Sequence, residues 1–316
     1  MKKISIILPV YNEAEMIKKF TDELFSVLDG LKDRYSFEVI YCVDKSSDDT
    51  QSIVKAICNE RPGVTTYIGF SKRFGHQMSL VAGMDYCTGD AAIMMDCDLE
   101  HPPSLIPVLL DRFEEGYEVV HTRREYSKKV NKLKKATSSI FYKLLSALST
   151  VKLDQGSADF RLVSRKCIDV FKYSIREQHQ FLRGLFQWVG FEQCTVVFSS
   201  GFREAGKSKY SVKKLFSFAF NGIVSFSKLP LTISVFIGFI VAAFGGAYGI
   251  YTVVVSFTDG TVPSGWPSTV SLIAFLGGLQ LCVLGILGCY IGEIFDEVKK
   301  RPLYIVEETY IGKDEV

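Results

Sequence analysis

The chain has 316 residues, 47% of them hydrophobic, enough for one sizeable soluble domain and something further that is unusually apolar. Its eight cysteines, at positions 42, 58, 87, 97, 167, 194, 282 and 289, include no Cys-x-x-Cys pair. That argues against a disulfide framework or a zinc site and for small buried apolar residues in a reducing compartment. A formal net charge of +2 gives no reason to expect a nucleic-acid partner, and the placement of the charges says more than their sum.

Met1-Lys2-Lys3 leads straight into a strand, so no signal peptide is expected. Strand-like and helix-like stretches then alternate: strand 3–10, helix 14–31, strand 37–43, helix 49–60, strand 64–70, helix 77–87, strand 91–96, helix 103–115 and strand 117–122. This α/β alternation predicts a mostly parallel sheet with helices on both faces. In the first helix Ile17, Phe20, Leu24, Val27, Leu28 and Leu31 recur at helical spacing with charges between them. The Gly-x-Gly-x-x-Gly turn of dinucleotide folds is absent; the chain after the first strand reads Pro9-Val10-Tyr11-Asn12-Glu13, which argues against a nicotinamide or flavin enzyme.

The strand 91–96 runs Ala-Ala-Ile-Met-Met-Asp and continues Cys97-Asp98-Leu99-Glu100, so Asp96, Asp98 and Glu100 alternate at its carboxyl end. Carboxylates at i, i+2 and i+4 there suit a hard divalent cation, and parallel α/β sheets bind ligands at that edge. The other reading is an acidic cap on the helix that starts at Pro102-Pro103. His76, His101, His121 and His179 show no metal-ligand spacing.

Residues 130–151 and 211–228 are amphipathic, the latter with Phe216, Phe218, Phe220 and Phe226 beside Lys213, Lys214 and Lys228. Such helices lie in the headgroup region or, in the blander reading, face an ordinary core. Residues 231–257 carry no charge and 269–292 repeat the pattern, each exceeding the roughly 20 residues that cross a bilayer, so two transmembrane helices are predicted. The loop Thr258 to Ser268 has Asp259 as its only charge, whereas Lys207, Lys209, Lys213, Lys214 and Lys228 precede the hairpin and Lys299, Lys300 and Arg301 follow it. The positive-inside rule therefore places both termini in the cytoplasm of a multi-pass plasma-membrane protein. The expected division is a cytoplasmic catalytic domain 1–210, a juxtamembrane segment 211–230, a transmembrane hairpin 231–292 and a cytoplasmic tail 293–316. Glycines in both spans suggest close helix packing, within the hairpin or in a homo-oligomer.

Pro9-Val10-Tyr11-Asn12-Glu13, Val43-Asp44-Lys45-Ser46-Ser47-Asp48 and Asp96-Cys97-Asp98 resemble the nucleotide-sugar-binding (GT-A) fold of family 2 glycosyltransferases. Phe74-Gly75-His76-Gln77, Asp98-Leu99-Glu100-His101-Pro102-Pro103, Asp159-Phe160-Arg161-Leu162 and Arg203-Glu204-Ala205-Gly206-Lys207-Ser208-Lys209-Tyr210, followed by two spans, resemble the polyprenyl-phosphate glycosyltransferases. That group includes dolichol-phosphate mannose synthase and bacterial bactoprenol glucosyltransferases. The resemblance covers nearly the whole chain, and the motifs are specific together rather than singly.

The resemblance implies that Pro9, Tyr11, Glu13 and Asp44 surround the donor nucleoside. It implies that Asp96, Asp98 and Glu100 hold Mg2+ or Mn2+, and that Asp159, with Asp98, is catalytic, by aligning the acceptor or by base-like assistance. Two positions depart from the family pattern: Lys45 stands where glycine is usual, and Glu100 where many relatives have glutamine. A lipid phosphate acceptor is already ionised and needs cations more than a base, so Arg203 and Lys209, with Arg123 and Arg161, are candidates to bind it. The expected activity is inverting, metal-dependent transfer of one sugar from a nucleotide diphosphate-sugar, UDP-linked by resemblance to bacterial members, to polyprenyl phosphate at the cytoplasmic face. The alternatives are a processive polysaccharide synthase, which lacks support because no Gln-x-x-Arg-Trp segment is present, and a non-catalytic scaffold or flippase component.

Overall fold

The computed structural model describes residues 1–125, 157–199, 229–258, 265–311 and 314–315. Its elements in chain order are β1 (Lys2–Val10), α1 (Ile17–Asp29), β2 (Tyr35–Val43), α2 (Thr50–Glu60), β3 (Thr65–Phe70), α3 (His76–Tyr86) and β4 (Ala91–Met94). After a 3-10 turn, Pro103–Leu105, come α4 (Ile106–Glu114), β5 (Val119–Glu125), β6 (Ser157–Ser164), α5 (Arg165–Tyr173), α6 (Leu182–Trp188) and β7 (Gln193–Ser199). Two long helices, α7 (Leu229–Thr258) and α8 (Trp266–Lys299), precede β8 (Val306–Ile311) and β9 (Asp314–Glu315).

The strands form one nine-stranded sheet in the order β7-β5-β6-β4-β1-β2-β3-β8-β9. Its centre, β4-β1-β2-β3, is parallel, and β5 pairs parallel with β7. Antiparallel pairings join β4 to β6, β5 to β6, β3 to β8 and β8 to β9. Side chains of a strand alternate between faces. Ile4, Ile6, Leu8 and Val10 of β1 therefore share one core with Ile17, Phe20 and Leu24 of α1, Val54 of α2 and Leu109 of α4. Ile7 points the other way, toward α3: a Cβ added at Gly83 would come within 2.1 Å of Ile7 Cγ2, so only glycine lets this helix approach so closely.

The α/β architecture expected from the alternation is the one observed, with helices on both faces. Sequence periodicity gave no elements between residues 157 and 199, where the sheet turns antiparallel, and read residues 293–316 as a tail. Here α8 continues to Lys299, and β8 extends the sheet on the far side of β3. Lys55 Nζ lies 2.7 Å from Glu308 Oε2, Tyr67 donates to Glu308 Oε1 at 3.1 Å, and Tyr304 donates to Asp85 at 2.6 Å. The chain divides into two compact units, and residues 301 onward belong with the sheet while α7 and α8 belong to the other.

Among the described residues of that other unit one helix, Phe275–Lys299, is long and apolar enough to cross a membrane, with a mean hydropathy of 1.8, and Leu231–Gly245 is a shorter apolar stretch, where the sequence alone predicts two spans. Most described side chains of both helices, Phe239 and Phe275 among them, are exposed rather than packed. The amphipathic segments 130–151 and 211–228 lie outside the described residues.

Candidate active site

The carboxyl ends of β1, β2 and β4 converge with one end of β6. After β1 the chain turns at Asn12, whose φ of 54° is the left-handed region that asparagine tolerates. Its Oδ1 accepts from the Ser47 N–H at 2.9 Å, and its own N–H donates to Ser46 Oγ at 3.2 Å, so the turns after β1 and β2 are stitched together. Glu13 N–H donates to Thr50 Oγ1 at 2.9 Å, which ties this turn to the start of α2. Pro9 is buried within β1, and Tyr11 lies under the guanidinium of Arg73, 4.0 Å from the ring centroid.

Asp44 is buried at the end of β2, and its two oxygens accept from the backbone N–H groups of Phe74 and Gly75 at 2.8 and 2.9 Å. A φ of +95° makes glycine the natural residue at 75. Asp44 thus holds the turn that launches α3 and sets His76 at its start. His76 Nε2 lies 2.6 Å from Asp96 Oδ1, and the Asp96 N–H donates to Nδ1 of the buried His101 at 3.0 Å. Asp98 Oδ1 accepts from the Glu100 N–H at 3.0 Å across Leu99, which is forced to a φ of 59°. Glu100 meets Arg124 Nη1 at 2.7 Å.

Asp159 on β6 is 9% exposed and bound by two guanidinium groups. Arg183 of α6 forks onto it, Nε to Oδ1 at 2.9 Å and Nη2 to Oδ2 at 2.8 Å, while Arg161 Nη2 reaches Oδ1 at 2.9 Å. Arg161 is 1% exposed, stacked 4.8 Å from the Phe186 ring centroid, and its Nε and Nη1 make no hydrogen bond among the described residues.

The charges divide into two neighbouring fields. Burial, then Asp98, Asp96 and Asp48, push the Glu13 carboxyl up to about 7. Asp98 is raised as well, by burial and by Asp96 and Glu100, against the hydrogen bond from the Glu100 N–H. Burial also works to raise Asp96, but the hydrogen bond and charge of His76 outweigh it and hold that carboxyl below its ordinary value. The same contact outweighs the burial of His76 and raises its imidazole, whereas burial lowers His101. Across His76 the balance reverses: despite burial, Arg183 and Arg161 hold Asp159 far below the usual carboxylate range, and burial pushes the Arg161 guanidinium down to about 10.

Asp96 and Asp98 are donors of the kind a hard cation takes, and their charges raise the proton affinity of nearby Glu13, a repulsion that a divalent ion relieves. The ligands are not already gathered: among the described residues no three His, Cys, Asp or Glu side chains stand close enough together to hold a metal ion. Asp96 is turned to His76 and Glu100 to Arg124.

Of the residues singled out in the sequence, Asp96 and Asp159 act on His76, and Glu13 and Asp98 act on each other and on Asp96. Asp44 supports them from behind through the turn at residues 74–75. Arg123 is exposed on β5, and Arg203 and Lys209 lie outside the described residues. Lys45 directs its charge away, 3.0 Å from Glu307 of the segment following α8. Arg183 and Arg124 escaped notice in the sequence, because an isolated arginine carries no local sign of the carboxylate it meets.

The family profile described as "Glycosyl transferase family 2" matches residues 5–171. The chain is 38% identical over 307 residues to the uncharacterized glycosyltransferase YkcC of Bacillus subtilis, covering 97% of this chain and 94% of the relative. It is 37% identical over 312 residues to the SfII prophage-derived bactoprenol glucosyl transferase of Shigella flexneri, covering 98% and 99%. Among solved structures, glucosyl-3-phosphoglycerate synthase from Mycobacterium tuberculosis superimposes with a TM-score of 0.46 at 20% identity, over 71% of this chain and 78% of that one. A profile match over more than half of the chain, and relatives alike from end to end, make this protein a member of glycosyl transferase family 2.

Proposed function

We propose that this glycosyltransferase moves one sugar from a UDP-sugar to a polyprenyl phosphate at the cytoplasmic membrane face, with inversion, giving a lipid-linked monosaccharide. The observation that carries the reading is that His76 contacts Asp96, whose charge acts together with Asp98 on Glu13, and also feels Asp159, which is held by the guanidinium groups of Arg161 and Arg183. The carboxylates suit the cation that accompanies a nucleoside diphosphate, the guanidinium groups an anionic acceptor. Full-length similarity to bactoprenol glucosyl transferases supports the lipid acceptor.

Asp96 and Asp98 would hold Mg2+ or Mn2+, with Glu100 completing the set once it leaves Arg124. A bound divalent cation stabilises the charge that grows on a departing diphosphate. An acceptor phosphate oxygen attacks the anomeric carbon from the face opposite the diphosphate, the C–O bond to the diphosphate breaks, and its electron pair leaves with the nucleotide. Because the attacking oxygen is already anionic, no proton has to be removed. The protein's task is to bring two anions together and to exclude water, and Tyr11, Pro9 and Asp44 are assigned to the nucleoside end.

The membrane reading draws support from strand pairing. β8 follows α8 yet pairs with β3, which precedes α7, so the chain must return to the side it left. One crossing would strand β8 across a bilayer from its partner. If Phe275–Lys299 spans, α7 is the candidate for the second crossing that such a return needs, which is the hairpin reading. The lysines and arginines flanking those ends favour the cytoplasmic side.

Membranes carrying the protein, incubated with undecaprenyl phosphate and labelled UDP-glucose, UDP-N-acetylglucosamine or GDP-mannose, test the reading. Label extractable into organic solvent from a UDP-sugar is expected, abolished by EDTA and by Asp98→Ala. No lipid-extractable label from any donor would overturn it.

A further inference from the structure

Consecutive residues Arg73 to His76 meet the side chains assigned above to the donor and its cation. The Arg73 guanidinium lies over the Tyr11 ring, the Phe74 and Gly75 N–H groups hold Asp44, and His76 contacts Asp96. Those partners follow three different strands, β1, β2 and β4. The turn between β3 and α3 thus sets them against one another, and what fixes the turn fixes the donor side.

Asp44 grips this turn at residues 74 and 75. Its other end is held by a segment remote in sequence. Ser71 donates its N–H to Ile305 O at 3.1 Å, and the Phe70 ring packs against those of both Phe74 and Tyr304, at centroid distances of 6.1 and 5.7 Å. Residues 301–305 form a strap that leads into β8 and begins where the unit containing α7 and α8 ends, after Lys300. Gln178 Nε2 donates to Arg301 O at 2.6 Å, Leu303 is buried, and the Tyr304 hydroxyl donates to Asp85 Oδ2 at 2.6 Å. Asp85 stands on α3 and is itself fixed, its two oxygens accepting from Arg176 Nη1 at 2.8 and 2.9 Å.

We propose that Tyr304 is a positioning residue for the donor: seated on Asp85, its ring braces Phe70 and through it the turn that carries Arg73 to His76. The inference rests on the glycosyl-transfer reading above and adds to donor binding a residue from the segment after α8. Preorganisation is the physical reason. A turn with glycine at a φ of +95° has other conformations open to it, and affinity falls when a nucleotide must select among them. A ring contact and a backbone bond from one strap remove that freedom before the nucleotide arrives. The strand β8 is also held to β3 independently of Tyr304, by its ladder and by the contacts of Lys55 and Tyr67 with Glu308. The flank of the sheet can therefore be loosened without touching the brace.

Full-length wild type, Tyr304→Ala, Tyr304→Phe, Phe70→Leu, the double variant Tyr304→Ala/Phe70→Leu and Lys55→Met are compared in three measurements. These are UDP affinity with Mn2+ by titration calorimetry, the kinetics of transfer to undecaprenyl phosphate, and thermal denaturation. Tyr304→Ala is expected to weaken UDP binding roughly threefold to tenfold and to raise the donor KM to match, while the lipid KM stays within about twofold. Tyr304→Phe should recover most of the loss, because the ring remains. Phe70→Leu should weaken UDP binding as well, and the double variant should be no worse than the poorer single, as expected when one residue acts through the other. Lys55→Met should lower the melting temperature and leave UDP affinity within about twofold.

Unchanged UDP affinity in Tyr304→Ala would overturn the proposal, as would additive losses in the double variant. Equal weakening of both substrates, or a loss in Lys55→Met as large as that in Tyr304→Ala, would overturn it too, because either marks a general loosening of the sheet. Should Tyr304→Ala fail to fold, Tyr304→Leu, which keeps apolar bulk without a ring, is read by the same criteria. A wild type that binds neither UDP nor GDP with Mn2+ would instead defeat the underlying donor reading, and the proposal with it, before any variant is compared.

Discussion

At the scale of single residues, the site is governed by which carboxylates have partners. Glu13 has none of the cationic partners that hold Asp96 and Asp159 down, and its carboxyl is raised from 4.5 to about 7. Between those values the folded chain binds the proton more tightly than the unfolded one, so stability falls as pH rises through that window. Glu13→Gln is therefore expected to raise the melting temperature at pH 7.5 in EDTA and to leave it nearly unchanged at pH 4, read by thermal denaturation of the purified protein. Lys45 makes the opposite case. Its partner Glu307 and its own ammonium are both about half exposed, and such pairs contribute only ~0–1 kcal/mol. Lys45→Gly is expected to shift UDP affinity by less than about twofold, as measured by titration calorimetry. The acidic members of the site were legible because they punctuate an apolar strand. The arginines were not, since Arg183 and Asp159 are 24 residues apart and meet only in the folded chain.

At the scale of elements, close approach decides what the sheet tolerates. Adding a methyl at Gly83 improves helix propensity by ~1 kcal/mol but drives Cβ into Ile7, and overpacking of that kind costs about 1–3 kcal/mol. Gly83→Ala is expected to lower the melting temperature, and to lower it less in an Ile7→Ala background, where the obstructing Cγ2 is gone. Periodicity found β1 to β4 and α1 to α4 to within a few residues because buried parallel strands are apolar runs and α1, α2 and α4 are amphipathic, while α3 is a run of buried residues between two clear strands. It placed the start of α1 at 14 rather than at Ile17, since Glu13 to Met16 form a turn whose backbone bonds only the structure reveals. It missed β8 for a physical reason: Val306-Glu307-Glu308-Thr309-Tyr310-Ile311 lies near a sheet edge, where charge is favoured over apolar content.

At the scale of the whole molecule, the catalytic sheet is discontinuous in sequence, with α7 and α8 inserted between its strands. A cysteine replacing Ser264, between the two helices, is expected to react with an impermeant thiol reagent added to intact cells, and one replacing Ser127 is not; the reverse pattern would remove the cytoplasmic assignment. Deleting residues 301–316 strips β3 of its antiparallel neighbour together with the contacts of Glu308 and Tyr304. Such a chain is expected to melt lower and to aggregate in detergent, as seen by size-exclusion chromatography, because a bare apolar edge invites pairing with other chains. The same pairing imposes an order on biosynthesis. Chains emerge amino end first, and β3 is finished long before β8 exists. Until both long helices have been made and the chain has come back, the sheet of the nascent enzyme has an open flank, so under the membrane reading proposed above the insertion of those helices becomes a folding step for the domain that they interrupt.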